Sequence, residues 1–299
     1  MSARPVSPAL AFSAAAIGIA IYSGMDTLMK RLSIDSGAYA AVLWRSWAGV
    51  AMTGTAFVLR RRRWPRGPAL RLHVARGAAA GSSVLLFLWG LARVPMAQSV
   101  AITFLAPLLA ILLAALTLGE RIRRAAILGA AVASAGVLVI AAGEAQANAS
   151  TAAVLGTIAI FIASILYAGS LILLRRQAQI ADPLEVALFT SLVIGVAMLP
   201  ASPLLAGWPA PAQIGPVIAA AVLGTISALL IAWAYRHAEA QVLAPVEYTA
   251  FIWSAILGRL AFGERVSGWT AAGAALIVAG CLAGVRKAAP NAPHTEAAA

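Results

Sequence analysis

Residues 214–235 read IGPVIAAAVLGTISALLIAWAY, a continuous run of apolar, small and hydroxylated residues without a charged side chain. A transmembrane helix needs about 20 such residues. The run also lacks the alternation of apolar and polar residues that is typical of outer-membrane barrel strands. The stretch therefore predicts a membrane-spanning helix, and similar runs recur along the whole chain.

The composition of the 299 residues agrees with this prediction. Hydrophobic residues make up 62% and charged residues 11%, against about 45–50% and about 25% in soluble domains. The mean hydropathy is +0.90. So few charged side chains cannot cover a water-soluble globule of this size, which excludes a soluble enzyme, a disordered protein and a fibrous protein. The sequence therefore predicts an all-α polytopic membrane protein.

Ten predicted spans fill most of the chain and leave no room for a separate soluble domain. They cover residues 9–29, 38–59, 74–92, 97–118, 125–142, 152–174, 184–205, 213–235, 241–262 and 267–285. We divide the chain into a first five-helix repeat (1–150), a second, inverted five-helix repeat (151–287) and an Ala/Pro-rich cytoplasmic tail (288–299) that we expect to be disordered.

The basic residues predict the orientation of the spans. With the N-terminus in the cytoplasm, 16 lysines and arginines fall on the cytoplasmic side, and four fall on the opposite side, namely Lys30, Arg31, Arg93 and Arg265. This asymmetry places both termini in the cytoplasm, because cytoplasmic loops carry the excess of basic residues. It also explains the net charge of +12 without a nucleic-acid partner.

An internal repeat supports the division into halves. When the second half is shifted back by 144 residues, Gly263-Glu264 aligns with Gly119-Glu120 and Ser227 aligns with Ser83; near the start of each half the shift is 145, and Tyr167 aligns with Tyr22. Five spans per half is an odd number, so the second half crosses the membrane in the opposite sense. Inverted repeats are typical of secondary transporters, which bind substrate near the midplane between the halves.

The repeated motifs resemble those of a known family. The first copy reads Val94-Pro95-Met96-Ala97, Phe104-Leu105-Ala106-Pro107-Leu108 and Leu118-Gly119-Glu120, and the second reads Phe262-Gly263-Glu264. This pattern resembles the EamA branch of the drug/metabolite transporter superfamily, and within it the YddG-type exporters of aromatic and other neutral amino acids. The resemblance implies ten helices around a central cavity and export of small metabolites across a bacterial inner membrane by alternating access.

Charged residues inside spans are candidates for substrate binding or gating, because each costs about 2.5–3.5 kcal/mol to insert. Asp26 and Arg45 fall at similar depths in the first two spans, where they could form a structural ion pair or contact substrate. Glu247 follows Pro245 in the ninth span. A proline frees a backbone carbonyl, so Glu247 could meet an ammonium group or a proton, or could be a hydrogen-bonded structural residue.

Aromatic and polar residues complete the candidate set. Trp44, Tyr248 and Trp253 lie deep in their spans and are expected to line a cavity or to pack between helices. Hydrogen-bonding groups on other spans are further candidates for substrate binding, although such groups also serve ordinary helix packing. They are Gln98, Thr103, Tyr167 and Ser227. Pro107 and Pro245 are predicted to kink their helices.

Other classes of protein are disfavoured by what the sequence lacks. No His-Glu-x-x-His or Gly-x-Ser-x-Gly motif occurs, and no lysine follows a phosphate-binding glycine loop. The three histidines, among them His73, are predicted to lie in loops. We therefore expect no enzyme activity, no cofactor and no metal. The expected partners are a small-molecule substrate and membrane lipid, and the open alternative is a carrier of a nucleoside, vitamin, drug or cationic compound.

Paired glycines mark the fifth and tenth spans. Gly129 and Gly136 in the first half correspond to Gly273 and Gly280 in the second. Small residues allow helix backbones to approach closely. The pairs could pack within one chain or form the seam of a dimer, so the sequence is compatible with a monomer or a homodimer.

Overall fold

The computed structural model describes residues 8–61, 64–106, 108–110, 113, 124–146, 150–177, 180–237 and 246–286. Throughout these ranges the chain is helical and forms no strand, which confirms the all-α prediction. The first half contributes α1 (Pro8–Ser36), α2 (Ala38–Leu59), α3 (Pro68–Leu91), α4 (Met96–Thr103) and α5 (Arg124–Gln146). The second contributes α6 (Thr151–Gln177), α7 (Pro183–Met198), α8 (Ser202–Leu205), α9 (Pro211–His237), α10 (Thr249–Phe262) and α11 (Gly268–Arg286). The tail from 288 to 299 lies outside the described residues.

Four of the described helices are long and apolar enough to cross a membrane, namely Leu10–Ser36, Pro68–Leu91, Thr151–Leu174 and Pro211–Ile231. Shorter apolar helices accompany them, over Pro183–Met198, Thr249–Phe262 and Gly268–Gly280. Large apolar side chains also remain exposed on the outside of the bundle, such as Leu59, Leu229 and Leu260. Apolar surface of this extent is suited to lipid. The count of ten spans and the boundaries of the two repeats stay predictions.

Two elements differ from their predicted spans. Helix α1 continues to Ser36, seven residues past the predicted end, so that Lys30 and Arg31 are helical residues and not loop residues. Local pairing supports this extension, since Arg31 contacts Asp35 one turn later at 3.1 Å. The span predicted over 184–205 is divided, because α7 ends at Met198 and the short helix α8 starts at Ser202.

The packing of the helices is symmetric between the halves. Helix α1 of the first half packs on α9 of the second, and the equivalent helix of the second half, α6, packs on α3 of the first. Three further pairs join a helix to its own counterpart, namely α2 with α7, α4 with α10 and α5 with α11, and α3 also packs on α7 and α1 on α10. Exchange of the halves maps each of these pairs onto a pair that is also in contact, as expected for two repeats related by a two-fold axis.

Two buried serines show this symmetry at the level of atoms. The Ser83 hydroxyl donates to the carbonyl oxygen of Ala163 at 2.8 Å. The Ser227 hydroxyl donates to the carbonyl oxygen of Gly18, also at 2.8 Å. The donors are 144 residues apart and the acceptors 145 residues apart, which are the two shifts that the sequence repeat predicts. Each bond joins one half of the chain to the other.

The paired glycines form a seam within the chain. A Cβ atom on Gly136 would lie 2.5 Å from the Gly273 carbonyl oxygen, and one on Gly280 would lie 2.5 Å from the Gly129 carbonyl oxygen. Moving seven residues back along α5, from Gly136 to Gly129, corresponds to moving seven residues forward along α11, from Gly273 to Gly280. The two helices therefore run antiparallel. The glycines therefore serve packing inside one chain, which was one of the two roles predicted from the sequence.

Candidate functional site

A cavity of about 370 Å³ lies between the two halves. Helices α1, α3 and α4 of the first half and α6, α9 and α10 of the second surround it. Its lining comprises four aromatic residues (Tyr22, Phe87, Phe104, Tyr167), two acids (Asp26, Glu247), four hydroxylated residues (Ser23, Ser83, Thr103, Ser164) and eight aliphatic residues (Ala15, Ile19, Val84, Val100, Ala163, Ile231, Val246, Ala250). A mainly apolar pocket of this volume with a few polar groups is typical of small-molecule sites.

The two lining tyrosines are repeat counterparts that face each other. Tyr22 and Tyr167 are near enough to interact electrostatically. Tyr22 also lies near Asp26, and Tyr167 lies near Glu247. The lining thus contains a pair of neighbouring tyrosines with one acid near each of them. One acid lies on a helix of the first half and the other next to a helix of the second.

At one end of the bundle an ion pair joins Lys30 to Glu264, and we call this end the Lys30 end. The Lys30 ammonium contacts the Glu264 carboxylate and also donates to the Val94 carbonyl oxygen at 2.6 Å. The side chains are only 4% and 17% exposed. Because Lys30 belongs to the first half and Glu264 to the second, this pair joins the two halves. We call it the latch.

Glu264 holds the latch in place through a second contact. Its other carboxylate oxygen accepts a hydrogen bond from the backbone N–H of Met96 at 2.8 Å. Met96 is the first residue of α4, and a negative charge at a helix N-terminus is stabilised by the helix dipole and by the free N–H groups. The preceding residue, Gly263, adopts a left-handed conformation with φ of 69°, which glycine adopts at little cost. In the Gly-Glu motif, Gly263 therefore turns the chain so that the Glu264 carboxylate can contact both Lys30 and the Met96 N–H.

Four of the residues predicted as site residues line the cavity, namely Asp26, Thr103, Tyr167 and Glu247. Tyr248 does not line the cavity, but its ring packs edge to face against the lining residue Phe104, with centroids 5.2 Å apart. Pro107 and Pro245 lie outside the described residues.

The predicted ion pair between Asp26 and Arg45 does not form in the described structure. The two are near enough for electrostatic attraction, but no contact within 4 Å joins their charged atoms. Arg45 Nη1 instead lies 3.5 Å from the Met25 sulfur. The two residues point in different directions from their helices. Asp26 faces the cavity, whereas Met25, the residue before it on α1, belongs to the core between α1 and α2. Arg45 packs against Met25 in that core.

The other predicted site residues do not line this cavity. Trp44 donates its indole N–H to the Gly207 carbonyl oxygen at 3.0 Å and packs on the ring of Trp208. Gln98 is buried and donates to the Thr157 hydroxyl at 3.1 Å. Ser227 forms the bond to Gly18 described above. Trp253 is on the outer side of α10 and is 37% exposed.

The sequence missed several residues of the site and one buried histidine cluster. Tyr22 and Phe87 line the cavity, and the repeat match of Tyr22 with Tyr167 was the available signal. His73, predicted in a loop, is a buried residue of α3. Its Nε2 lies 2.9 Å from Glu185 Oε1, and its Nδ1 contacts the Gln177 amide, so it joins α3 to α6 and α7.

The fold and the cavity define a membrane transporter built from two similar halves. The chain belongs to the EamA-like transporter family, whose profile matches it twice, over residues 9–142 and 154–285. It is therefore an integral membrane protein of a family of small-molecule transporters.

Relatives with assigned roles are similar over most of the chain. The pseudopaline exporter of Pseudomonas aeruginosa is 27% identical over 271 residues, covering 88% of this chain and 91% of the exporter. A probable terminal-alkyne amino-acid exporter of Streptantibioticus cattleyicolor is 29% identical over 240 residues, covering 79% of this chain and 75% of its own. A solved crystal structure with 22% identity has a TM-score of 0.59 and covers 94% of this chain and 98% of its own, which shows a shared fold.

Proposed function

We propose that this protein exports neutral amino acids, preferentially large apolar or aromatic ones, through the cavity between its halves by alternating access. The protein is placed in a bacterial cytoplasmic membrane with both termini in the cytoplasm. This orientation rests on the distribution of basic residues, and it puts the Lys30 end outside the cell.

The observation that carries the proposal is a cavity lined by both halves, together with an ion pair that joins the halves at one end of the bundle. The lining draws on both halves, and the latch joins Lys30 of one half to Glu264 of the other. A movement of one half against the other would break this latch and alter the lining at the same time. With the Lys30 end outside, the latch would close the cavity to the exterior while the exporter loads substrate from the cytoplasm.

The lining supports an amino acid as substrate. Four aromatic rings and eight aliphatic side chains offer apolar surface for a side chain, and two acids offer sites for an ammonium group. The named relatives point the same way, since one is a pseudopaline exporter and one a probable terminal-alkyne amino-acid exporter.

Counterflow in liposomes tests the proposal. Purified protein is reconstituted into liposomes preloaded with unlabelled phenylalanine, methionine or threonine, and uptake of the labelled amino acid is followed against protein-free liposomes. Saturable uptake, largest for phenylalanine, is expected. Exchange of a nucleoside or vitamin without exchange of any amino acid would refute the substrate while leaving the carrier intact.

Glu247→Gln tests whether the second acid of the cavity takes part. The change keeps the shape of the side chain and removes its charge, and a reduced exchange rate is expected. The matched control is Asp35→Asn, which neutralises an exposed acid on α1 that pairs with Arg31. If Glu247→Gln exchanges phenylalanine at the wild-type rate at every pH, Glu247 is a structural residue.

A further inference from the structure

Asp26 is a buried acid that faces the cavity. It lies in the middle of α1, its relative exposure is 5%, and it belongs to the lining. A carboxylate within a membrane span is costly and needs a compensating partner. Within the described residues, however, its side chain makes no hydrogen bond and no ion pair within 4 Å.

The nearest candidate partner, Arg45, is directed elsewhere. Its Nη1 contacts the sulfur of Met25 at 3.5 Å, and its Nε atom is buried without a hydrogen-bond partner. Arg45 is not among the lining residues. A ligand in the cavity can therefore contact the Asp26 carboxylate, whereas the Arg45 guanidinium is not part of the lining.

The other polar groups of the lining add to the surplus of acceptors. The hydroxyls of Ser83, Thr103 and Ser164 each donate their hydrogen to a backbone carbonyl oxygen, at 2.8, 2.7 and 2.9 Å. Their remaining capacity toward the cavity is as acceptors. Among the described lining residues, no side chain carries an N–H donor or a positive charge. The hydroxyls of Tyr22, Ser23 and Tyr167 can donate or accept, so the charged groups of the lining are acids only and its neutral donors are hydroxyls.

Aromatic rings near Asp26 suit a cationic group as well. Tyr22 is one helical turn before Asp26, and Phe87, Phe104 and Tyr167 complete the aromatic part of the lining. The faces of such rings attract cations, more strongly where water is excluded. An ammonium group, with three N–H donors and a positive charge, satisfies both the carboxylate and the rings.

We infer that Asp26 binds the ammonium group of the substrate, and that the cavity selects primary amines whether or not they carry a carboxylate. This inference rests on the proposed function, since it names the headgroup that the same cavity recognises. It goes beyond the proposed function because it separates the two charges of an amino acid. The protein binds the ammonium group of the substrate, and the carboxylate group is not required for binding.

A series of three related compounds tests the inference on the wild-type protein. Binding to detergent-purified protein is measured by calorimetry for phenylalanine, for 2-phenylethylamine, which lacks the carboxylate, and for 3-phenylpropionate, which lacks the ammonium. The same compounds are then used as competitors of phenylalanine counterflow. We expect phenylalanine and the amine to bind and compete, and the acid to do neither. Competition by the acid with no effect of the amine would overturn the inference.

Asp26→Asn assigns the effect to one residue. Loss of a hydrogen bond between charged groups is expected to weaken binding of phenylalanine and of the amine by about tenfold or more. Asp35→Asn, on the same helix but exposed and paired with Arg31, should leave both affinities unchanged. Wild-type affinity for the amine in a folded Asp26→Asn protein would refute the role of Asp26. If that variant does not fold, the wild-type series still decides the headgroup.

The two proposals can fail separately. Exchange of phenylalanine without binding of the amine would refute ammonium recognition and leave the amino-acid exporter in place. Binding of the amine that depends on Asp26, without any exchange of amino acids, would support ammonium recognition and refute the proposed substrate.

Discussion

The latch between Lys30 and Glu264 is expected to stabilise the closed state at the Lys30 end. The perturbations are Glu264→Gln, Lys30→Met and the double change. Glu264→Gln removes the negative charge beside an ammonium that is 4% exposed and leaves it only neutral acceptors, the Val94 carbonyl and the amide oxygen of the new side chain. Lys30→Met leaves a carboxylate that is 17% exposed and still accepts the Met96 N–H.

The sizes of these effects follow from burial. Removing one partner of a buried ion pair costs about 3–5 kcal/mol, and we expect Glu264→Gln to fall in this range. Lys30→Met should cost less, about 1–3 kcal/mol, because the remaining carboxylate keeps a donor and some water. The double change leaves no buried charge, and replacing a buried pair by neutral groups is often nearly neutral. The double variant should therefore be more stable than Glu264→Gln alone.

Thermal unfolding checks this order of stabilities. Thermal unfolding of the purified variants is followed by tryptophan fluorescence in one detergent, and the midpoints are ranked wild type, double variant, Lys30→Met and Glu264→Gln from highest to lowest. Losses that simply add in the double variant would refute the interaction, because independent sites are additive.

Accessibility gives a second readout of the latch. A cysteine at Tyr22, inside the cavity, is introduced into a protein whose native Cys281 has been replaced by serine. An impermeant thiol reagent added outside intact cells should label it faster when Glu264→Gln is also present. Equal labelling with and without Glu264→Gln would show that the pair does not close the cavity to the outside.

Three further predictions address the fold. Cysteines in the Arg60–Arg66 loop should be shielded from an impermeant thiol reagent in intact cells and one at Gln146 should react, and the reverse pattern would overturn the orientation. Gly136→Ala should destabilise the protein by about 1–3 kcal/mol, because its Cβ would lie 2.5 Å from a backbone oxygen, whereas Gly169→Ala, with no atom within 4 Å, should leave the unfolding midpoint nearly unchanged. Ser227→Ala should cost about 0.6 kcal/mol, the average for a hydrogen bond between membrane helices, and an unchanged midpoint would show that this bond contributes nothing to stability.

The class of protein and its two-fold organisation could be predicted from the sequence alone. Long apolar runs leave few alternatives to membrane helices, since the backbone must satisfy its own hydrogen bonds in lipid. The shift of 144 to 145 residues predicted which positions correspond, and the equivalent hydrogen bonds of Ser83 and Ser227 follow it. These features depend on local composition and on spacing along the chain, both of which a sequence displays directly.

The composition of the site was decided by the tertiary structure. A sequence gives the depth of a residue in its span, but the direction of its side chain depends on how the helix is rotated against its neighbours. That rotation is set by close contacts such as that of Gly18 with Ile231. Asp26 consequently faces the cavity while Arg45, at a similar depth, does not. The partners of the latch are 234 residues apart, and only the packing of one half on the other brings them together.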